Sequence, residues 1–185
     1  MTQAFANAVE VRVADVRRRS ADSDDPRYSM VLLKEVAGTR SLPIWVGPFE
    51  ATSIALHLEG VRVPRPLTFS FMSDLLEACG GRLREVRVNK LVEGTFYAVA
   101  VIEASSGVRT VDARPSDALA LALVAGVPVR VEASIFAASD AHLAAHEHVP
   151  PPEAYHGEGT EGAAEIVAEV RSKWPGFRPG PTQTD

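Results

Sequence analysis

The chain has 185 residues, 46% of them hydrophobic, which is enough for one domain that buries a sizeable core. Its 19 Lys and Arg residues against 24 Asp and Glu residues give a formal net charge of −5, so charge alone does not favour binding to nucleic acid. No stretch has the apolar length of a membrane span or of a signal peptide, and the single cysteine, Cys79, excludes an intrachain disulfide. We therefore expect a soluble, cytoplasmic protein that does not associate with membranes.

The first part of the chain has residue patterns typical of β-strands. Alternating valines in VEVRVADV (9–16) predict a half-buried strand. The segments YSMVLLKEV (28–36) and LPIWV (42–46) flank a short turn, and together they predict a β-hairpin.

Two helices follow. GPFEATSIALHLEG (47–60) predicts a helix, because proline at the first helical position and glycine just past the end follow the normal asymmetry of helix termini. TFSFMSDLLEACGG (68–81) predicts a second helix with Thr68 as its N-cap. We expect its apolar stripe to be buried, including a reduced Cys79. The stripe consists of Phe71, Met72, Leu75, Leu76 and Cys79.

The second half of the chain has the same kinds of pattern. LREVRVNKL (83–91) and FYAVAVIEA (96–104) predict a hairpin, and VRTVDA (108–113) predicts a further strand. RPSDALALALVAG (114–126) predicts a third helix, VPVRVE (127–132) a strand, and a last helix begins at about residue 134.

An internal repeat appears when the chain is compared with itself at an offset of 67 residues. Pro48 then matches Pro115, and Glu50 matches Asp117. Each copy has a hairpin, a strand, a helix that begins with proline, and a terminating glycine. Because two copies are too few for a solenoid, we expect a compact single α+β domain whose duplicated units place helices over sheets. Residues 41–60 and 108–126 should occupy equivalent positions.

The composition changes after residue 148. Residues 149–185 are rich in proline and glycine and hold 6 acidic and 3 basic residues, net −3, which leaves 18 acidic and 16 basic residues, net −2, in residues 1–148. We assign residues 6–148 to the domain and residues 149–185 to a mostly flexible appendage with one short helix, AAEIVAEVRSKW (163–174).

The starts of the two proline-initiated helices carry the candidate chemistry. Glu50 and Asp117 each occupy the third helical position, where a carboxylate can accept a hydrogen bond from the cap-residue N–H and favours the positive end of the helix dipole. We favour this capping role. In the alternative, Arg114 and free backbone N–H groups bind phosphate while Glu50, Asp74 or Asp117 holds a divalent cation. With both carboxylates acting as caps, we expect Arg114 to be the functional residue of this segment.

Three segments together resemble a known family. LPIWVGPFEATSIALHLEGV (42–61), RPLT (65–68) and DARPSDALALALVAGVPV (112–129) resemble the bifunctional nuclease (BFN) domain family over roughly residues 9–136. The resemblance implies a compact α+β domain of bacteria and plants that is often a homodimer. It also implies nuclease activity on DNA and RNA, from which the family takes its name.

Matching the family's motifs residue by residue implies a set of site positions. The motif positions are Pro43, Gly47, Pro48, Glu50, Ala51, Arg65, Pro66, Thr68, Asp112, Arg114, Pro115, Ser116 and Asp117. The catalytic candidates are Glu50, Asp74 and Asp117, of which Glu50 and Asp117 are also candidate ligands for Mg²⁺ or Mn²⁺. The candidate binding residues are Arg65, Thr68, Arg114 and Ser116.

One departure from the family pattern bears on activity. After RPLT, many relatives have His-Asp where this chain has Phe69 and Ser70. An imidazole and a carboxylate can activate water or hold a metal, whereas an aromatic ring and a hydroxyl are poor substitutes. The resemblance implies a nuclease that hydrolyses phosphodiester bonds of DNA or RNA, and we expect metal-activated water as its route because the sequence shows no nucleophile–base pair. The alternative is a non-catalytic regulatory or binding module for a phosphorylated ligand or a protein partner, which the replacement and the near-neutral body favour.

Overall fold

A computed structural model describes residues 7–18, 29–144 and 161–173. These residues form seven strands and five helices. In chain order they are β1 (Ala8–Arg18), β2 (Ser29–Glu35), β3 (Ser41–Val46), α1 (Pro48–Leu58), α2 (Thr68–Ala78), β4 (Gly81–Val92), β5 (Thr95–Ala104), β6 (Gly107–Ala113), α3 (Pro115–Ala125), β7 (Val129–Glu132), α4 (Ala133–Ala144) and α5 (Glu161–Lys173). Within the described ranges, no helix combines the length and apolarity needed to cross a lipid bilayer.

All seven strands join one mixed sheet in the order β3-β2-β1-β7-β4-β5-β6. Two antiparallel three-stranded units, β1-β2-β3 and β4-β5-β6, form its two ends. The short strand β7 links them, since it pairs antiparallel with β1 and parallel with β4. This architecture confirms the predicted α+β class and both predicted hairpins.

The duplicated units occupy equivalent places in this sheet. β3 and β6 are its two edge strands, and each leads directly into a helix that begins with proline. The 67-residue offset carries α1 onto α3 residue for residue, and the two helices contact each other. The structure thereby confirms that residues 41–60 and 108–126 are topologically equivalent strand–helix units.

The core lies between the sheet and these helices. Val86 and Val88 of β4 and Val131 of β7 are fully buried, and α3 buries a continuous run of small and aliphatic side chains, Ala118–Ala122. A helix that packs on the sheet and on α1 and α2 has almost no face left for water. This burial explains why a helix that is almost entirely aliphatic begins directly after a charged segment.

Helix α2 differs from the prediction in its cap and in its buried face. Leu67 is the N-cap, so Thr68 is the first helical residue and does not cap the helix. Phe69 is the one buried residue of α2, while Phe71 and Leu75 are 59% and 50% exposed. Residues two positions apart on a helix lie on nearly opposite faces. Packing through Phe69 therefore turns the predicted stripe outward.

Cys79 lies at the end of that exposed stripe and is itself exposed. The prediction that it is buried was wrong, because it assumed that the most apolar face of α2 faces the core. Leu76, at the boundary of the stripe, packs against the core and is half-buried.

Helix α5, predicted within the tail, lies in the core rather than apart from it. Ala163, Ile166 and Val167 are buried and belong to the same hydrophobic cluster as α1 and the sheet. The buried carboxylate of Asp15 accepts hydrogen bonds from the backbone N–H of Val16 and of Ala163 at 2.8 and 3.2 Å. This contact satisfies one of the free N–H groups at the start of α5 and fixes the helix against β1. The boundary after residue 148 itself stays a prediction.

Candidate functional site

The N-termini of α1 and α3 meet at one solvent-facing cluster. Arg114, the N-cap residue of α3, donates from Nε to Asp117 Oδ2 at 2.7 Å and from Nη2 to Asp117 Oδ1 at 3.0 Å. The same Nη2 donates to Glu50 Oε1 at 2.8 Å. We call Glu50, Arg114 and Asp117 the Arg114 corner. It joins the equivalent third helical positions of the two repeats.

The two repeats differ at the cap residue, and the difference builds the corner. Arg114 occupies the N-cap of α3, and Gly47 occupies the N-cap of α1. A Cβ on residue 47 would lie 2.6 Å from Glu50 Oε2. Glycine therefore leaves room for the Glu50 carboxylate to fold back over the chain and reach the arginine of the other repeat.

The carboxylates do not cap their helices in the predicted way. Among the described residues, the hydrogen bonds that Glu50 and Asp117 accept all come from the Arg114 side chain, and none comes from a cap-residue N–H. The predicted back-bond is therefore wrong in detail, because the guanidinium provides a charged donor that both carboxylates can reach. Their favourable placement near the helix dipole remains.

The electrostatics of the corner follow from this sharing. The hydrogen bond to Asp117, reinforced by Glu50, holds the pKa of Arg114 above its usual range. The Arg114 side chain is 67% exposed, so a phosphate group can reach it, and it can bind phosphate oxygens in the bidentate manner that suits guanidinium once Nε and Nη2 leave the carboxylates. The three groups together carry a formal charge of −1. An anion therefore binds most favourably where it replaces one of the carboxylates as the partner of Arg114.

A divalent cation does not fit the corner as the described residues arrange it. No group of three or more His, Cys, Asp or Glu side chains in that part of the chain is placed to hold a metal ion. Glu50 and Asp117 direct their oxygens at the Arg114 guanidinium, so neither carboxylate is open to an ion while Arg114 stays in place.

The remaining predicted site residues lie outside the corner. Arg65 is exposed between α1 and α2, Thr68 is exposed at the start of α2, and Asp74 is exposed further along that helix. Ser116 is buried at the second position of α3, which gives its hydroxyl little access to a ligand. No hydrogen bond or ion pair within the described ranges links these four residues to the corner.

Phe69 occupies the position where the resemblance led us to expect histidine. Its side chain is buried in the core cluster, and Ser70 is half-buried beside it. A phenyl ring suits this site because it contributes apolar packing, but it offers no proton-transfer group.

Sequence reasoning missed a second charged cluster on the opposite face of the sheet. Arg130 of β7 and Arg87 of β4 both bind Glu85. A four-residue strand gives little periodicity, so nothing in the sequence predicted that β7 lies between β1 and β4.

Comparisons with known proteins support the motif resemblance. Residues 31–144 match the family described as the bifunctional nuclease domain. Over 128 residues the chain is 44% identical to an uncharacterized protein of Mycobacterium tuberculosis, covering 69% of this chain and 74% of that protein. Bifunctional nuclease 1 of Oryza sativa subsp. indica is 28% identical over 113 residues, 60% of this chain and 34% of the rice protein. Bifunctional nuclease 2 of Arabidopsis thaliana is 29% identical over 108 residues, covering 56% and 33%.

Proposed function

The chain belongs to the bifunctional nuclease domain family, and from that premise we propose that it hydrolyses phosphodiester bonds of DNA or RNA at the Arg114 corner. The observation that carries this proposal is the convergence of both repeats on one exposed arginine. The two helix starts that hold the family's motifs lie 64 residues apart in sequence at Glu50 and Arg114, yet their side chains are 2.8 Å apart. Structural capping of two separate helices does not require that contact.

The chemistry we propose for the corner needs only an exchange of partners. Arg114 binds two non-bridging oxygens of the phosphodiester, which releases Asp117 from its forked contact. Glu50 or Asp117 then accepts a proton from a water molecule as the water oxygen attacks phosphorus. The P–O bond to the leaving ribose or deoxyribose oxygen breaks, and that oxygen takes a proton from solvent. Arg114 stabilises the additional negative charge of the transition state.

The first experiment asks whether the protein cleaves nucleic acid and whether it needs a metal. Metal-stripped, repurified protein is incubated with labelled single-stranded RNA and DNA, with and without Mg²⁺ or Mn²⁺. We expect cleavage that Glu50→Gln and Asp117→Asn both reduce. If Mg²⁺ or Mn²⁺ is essential, as first expected from the sequence, Arg114 must release both carboxylates to the ion. In that case Arg114→Ala retains or increases the activity, and our assignment of Arg114 is wrong.

A second candidate function is a non-catalytic binding module. It is supported by the buried Phe69 in place of a family histidine and by the neutralising contacts of Arg114 with both carboxylates. Its ligand would be a phosphorylated small molecule or a protein. Binding that depends on Arg114, with no cleavage of any nucleic acid under any metal condition, would favour this function over hydrolysis.

We also propose that the chain forms a homodimer in the cytoplasm. The exposed stripe of α2 supports the assembly, since Phe71, Met72 and Leu75 are each at least 43% exposed and together form an apolar surface on one helix. Contiguous exposed apolar surface of this kind marks interaction sites. The Phe71, Met72, Leu75 and Cys79 surface is called the α2 face below.

A further inference from the structure

A polar pocket of about 560 Å³ opens on the sheet. Arg84, Glu85 and Arg87 of β4 and Arg130 of β7 line it together with Val101 of β5. We call it the sheet-face arginine pocket. Three guanidinium groups and one carboxylate give the lining itself a formal charge of +2, whereas the chain as a whole carries −5. Two carboxylates next to the lining offset part of this charge, since Glu10 pairs with Arg130 at 3.3 Å and Glu103 lies 3.7 Å from Arg84.

The alternation of the strands places this pocket away from the helices. Val86 and Val88 on β4 and Val129 and Val131 on β7 point into the helix-covered core. Arg87 and Arg130 alternate with them and are paired in register across the parallel strands, so both point to the opposite face. The sheet holds their guanidinium groups side by side, and little further ordering is needed when a ligand binds.

Glu85 occupies the place between the two arginines. Its Oε1 accepts a hydrogen bond from Arg87 Nε at 2.6 Å, and its Oε2 forms an ion pair with Arg130, 3.0 Å from Nε. The two oxygens of this one carboxylate contact two different guanidinium groups. Arg87 and Arg130 are therefore close enough together to bind a small oxyanion between them. Glu85 and Arg87 are 16% and 20% exposed, so these charges are partly shielded from solvent screening.

The third arginine adds donors that are only weakly used. Arg84 Nε lies 3.7 Å from Glu103 Oε2. That same oxygen accepts two shorter hydrogen bonds from Arg82, at 2.7 and 3.0 Å. Arg84 is 52% exposed and can turn toward the pocket without leaving Glu103 unpaired.

We propose that the sheet-face arginine pocket binds a phosphate group, held by Arg130, Arg87 and Arg84. The phosphate site is independent of the proposed nuclease activity, while its use by a nucleic-acid strand rests on that proposed function. Val108, which also lines the pocket, lies at the opposite end of β6 from Arg114. Six residues of strand separate them by about 20 Å. The two sites are therefore distinct, and a single bound strand can contact both.

Two variants change the pocket in opposite directions. Arg130→Ala removes a clasping guanidinium and should weaken binding roughly tenfold, the usual effect of losing a charge-assisted hydrogen bond. Glu85→Gln removes the internal carboxylate that competes with the ligand and should strengthen binding. The matched control is Arg109→Ala on neighbouring β6. Arg109 is exposed, and by strand alternation from Val108 it points away from the pocket. Each variant is first shown by thermal unfolding to be folded.

Inorganic phosphate, a nucleoside monophosphate and a labelled single-stranded oligonucleotide are each titrated onto the full chain. Weaker binding in Arg130→Ala, stronger binding in Glu85→Gln and unchanged binding in Arg109→Ala support the pocket. Equal binding by Arg130→Ala and Arg109→Ala overturns it.

The three probes distinguish the source of the phosphate. If the oligonucleotide binds far more tightly than the monophosphate, and Arg130→Ala lowers the salt dependence of log Kd by about one, the ligand is a nucleic-acid backbone. If the monophosphate binds as tightly, the pocket takes a small phosphorylated molecule. Loss of cleavage with intact phosphate binding would reject the proposed function and leave the pocket standing.

Discussion

Arg114 contacts carboxylates on two helices, and its exposure to solvent determines how much these contacts can stabilise the fold. The side chain is 67% exposed and pairs with carboxylates on both helices. Ion pairs this close to solvent add little to stability. The arrangement therefore stabilises the fold only slightly and leaves the guanidinium accessible to a ligand.

Asp117→Asn tests the balance between fold and function at this corner. Asparagine keeps an acceptor for Arg114 and loses mainly the charge, so the free energy of unfolding should fall by at most about 1 kcal/mol. The difference should shrink further at high salt, because salt screens exposed charges. Urea unfolding at low and high salt measures both effects. A loss of several kcal/mol would show that Asp117 is primarily structural.

Cys79 provides a direct check on the orientation of α2. The thiol is exposed, so the native protein should react with a thiol reagent without prior unfolding. It is the one cysteine of the chain, and Cys79→Ser is a complete control for the signal. Reaction only after denaturation would restore the buried placement that the apolar stripe first predicted, or would indicate that a partner covers the α2 face.

At the scale of secondary structure, the fit of α5 against β1 depends on a glycine. A Cβ on Gly162 would lie 2.6 Å from the backbone oxygen of Val16 and 3.1 Å from the Cα of Arg17. Backbone atoms cannot move aside as a flexible side chain can. The close approach lets Ala163 reach the Asp15 carboxylate and brings Ile166 into the core.

Ile166→Ala measures how much the packing of α5 contributes to the stability of the domain. Ile166 is 1% exposed, and removing a buried isoleucine leaves a cavity that costs about 2–5 kcal/mol. Glu165→Ala on the exposed side of the same helix is the matched control and should change stability by less than about 0.5 kcal/mol. Chemical unfolding compares the two. Equal, small effects would mean that α5 is the appendage first predicted from composition.

These elements also show what sequence pattern can and cannot predict. Periodicity, prolines and the 67-residue repeat were sufficient to place the strands and helices and to pair α1 with α3. Periodicity does not state which apolar face of a helix packs inward, so the sequence prediction placed the wrong face of α2 in the core. Composition placed α5 in a tail because its buried residues, Ala163, Ile166 and Val167, lie among acidic neighbours.

For the candidate site, the sequence indicated which residues to consider but not how they come together. The repeat singled out Glu50 and Asp117, and the charged segment before α3 singled out Arg114, but a contact across 64 residues depends on how two edge strands turn into their helices. Motif matching alone included Ser116, whose burial follows from helix packing. The metal stays a prediction, because Arg114 occupies both carboxylates in the arrangement of the described residues.

At the scale of the whole molecule, the faces of the domain have different characters. The sheet-face arginine pocket is polar and positive, and the Arg114 corner is charged and compact. The α2 face is apolar, and it is the surface most suited to association with a second copy of the chain.

Leu75→Asp tests the proposed homodimer. Leu75 lies centrally in the α2 face and is 50% exposed, so the substitution should leave the monomer folded while placing a desolvated charge in the interface. Light scattering should show a dimer for the unaltered protein and the 19.8 kDa species for the variant. Val36→Asp, at another exposed apolar residue, is the control and should remain dimeric. A 19.8 kDa species for all three proteins at micromolar concentration would reject the dimer.

The most direct test of the central claim compares cleavage by Arg114→Ala and Arg82→Ala. Both arginines are largely exposed, at 67% and 71%, and each donates from Nε and Nη2 to a nearby carboxylate, so the substitutions are matched in charge and in their effect on the fold. With labelled single-stranded RNA, Arg114→Ala should lower the cleavage rate on the order of 100-fold, as expected when a transition-state donor is lost, and Arg82→Ala should retain it. Equal rates for the two variants would contradict the assignment of the Arg114 corner as the site of phosphodiester hydrolysis.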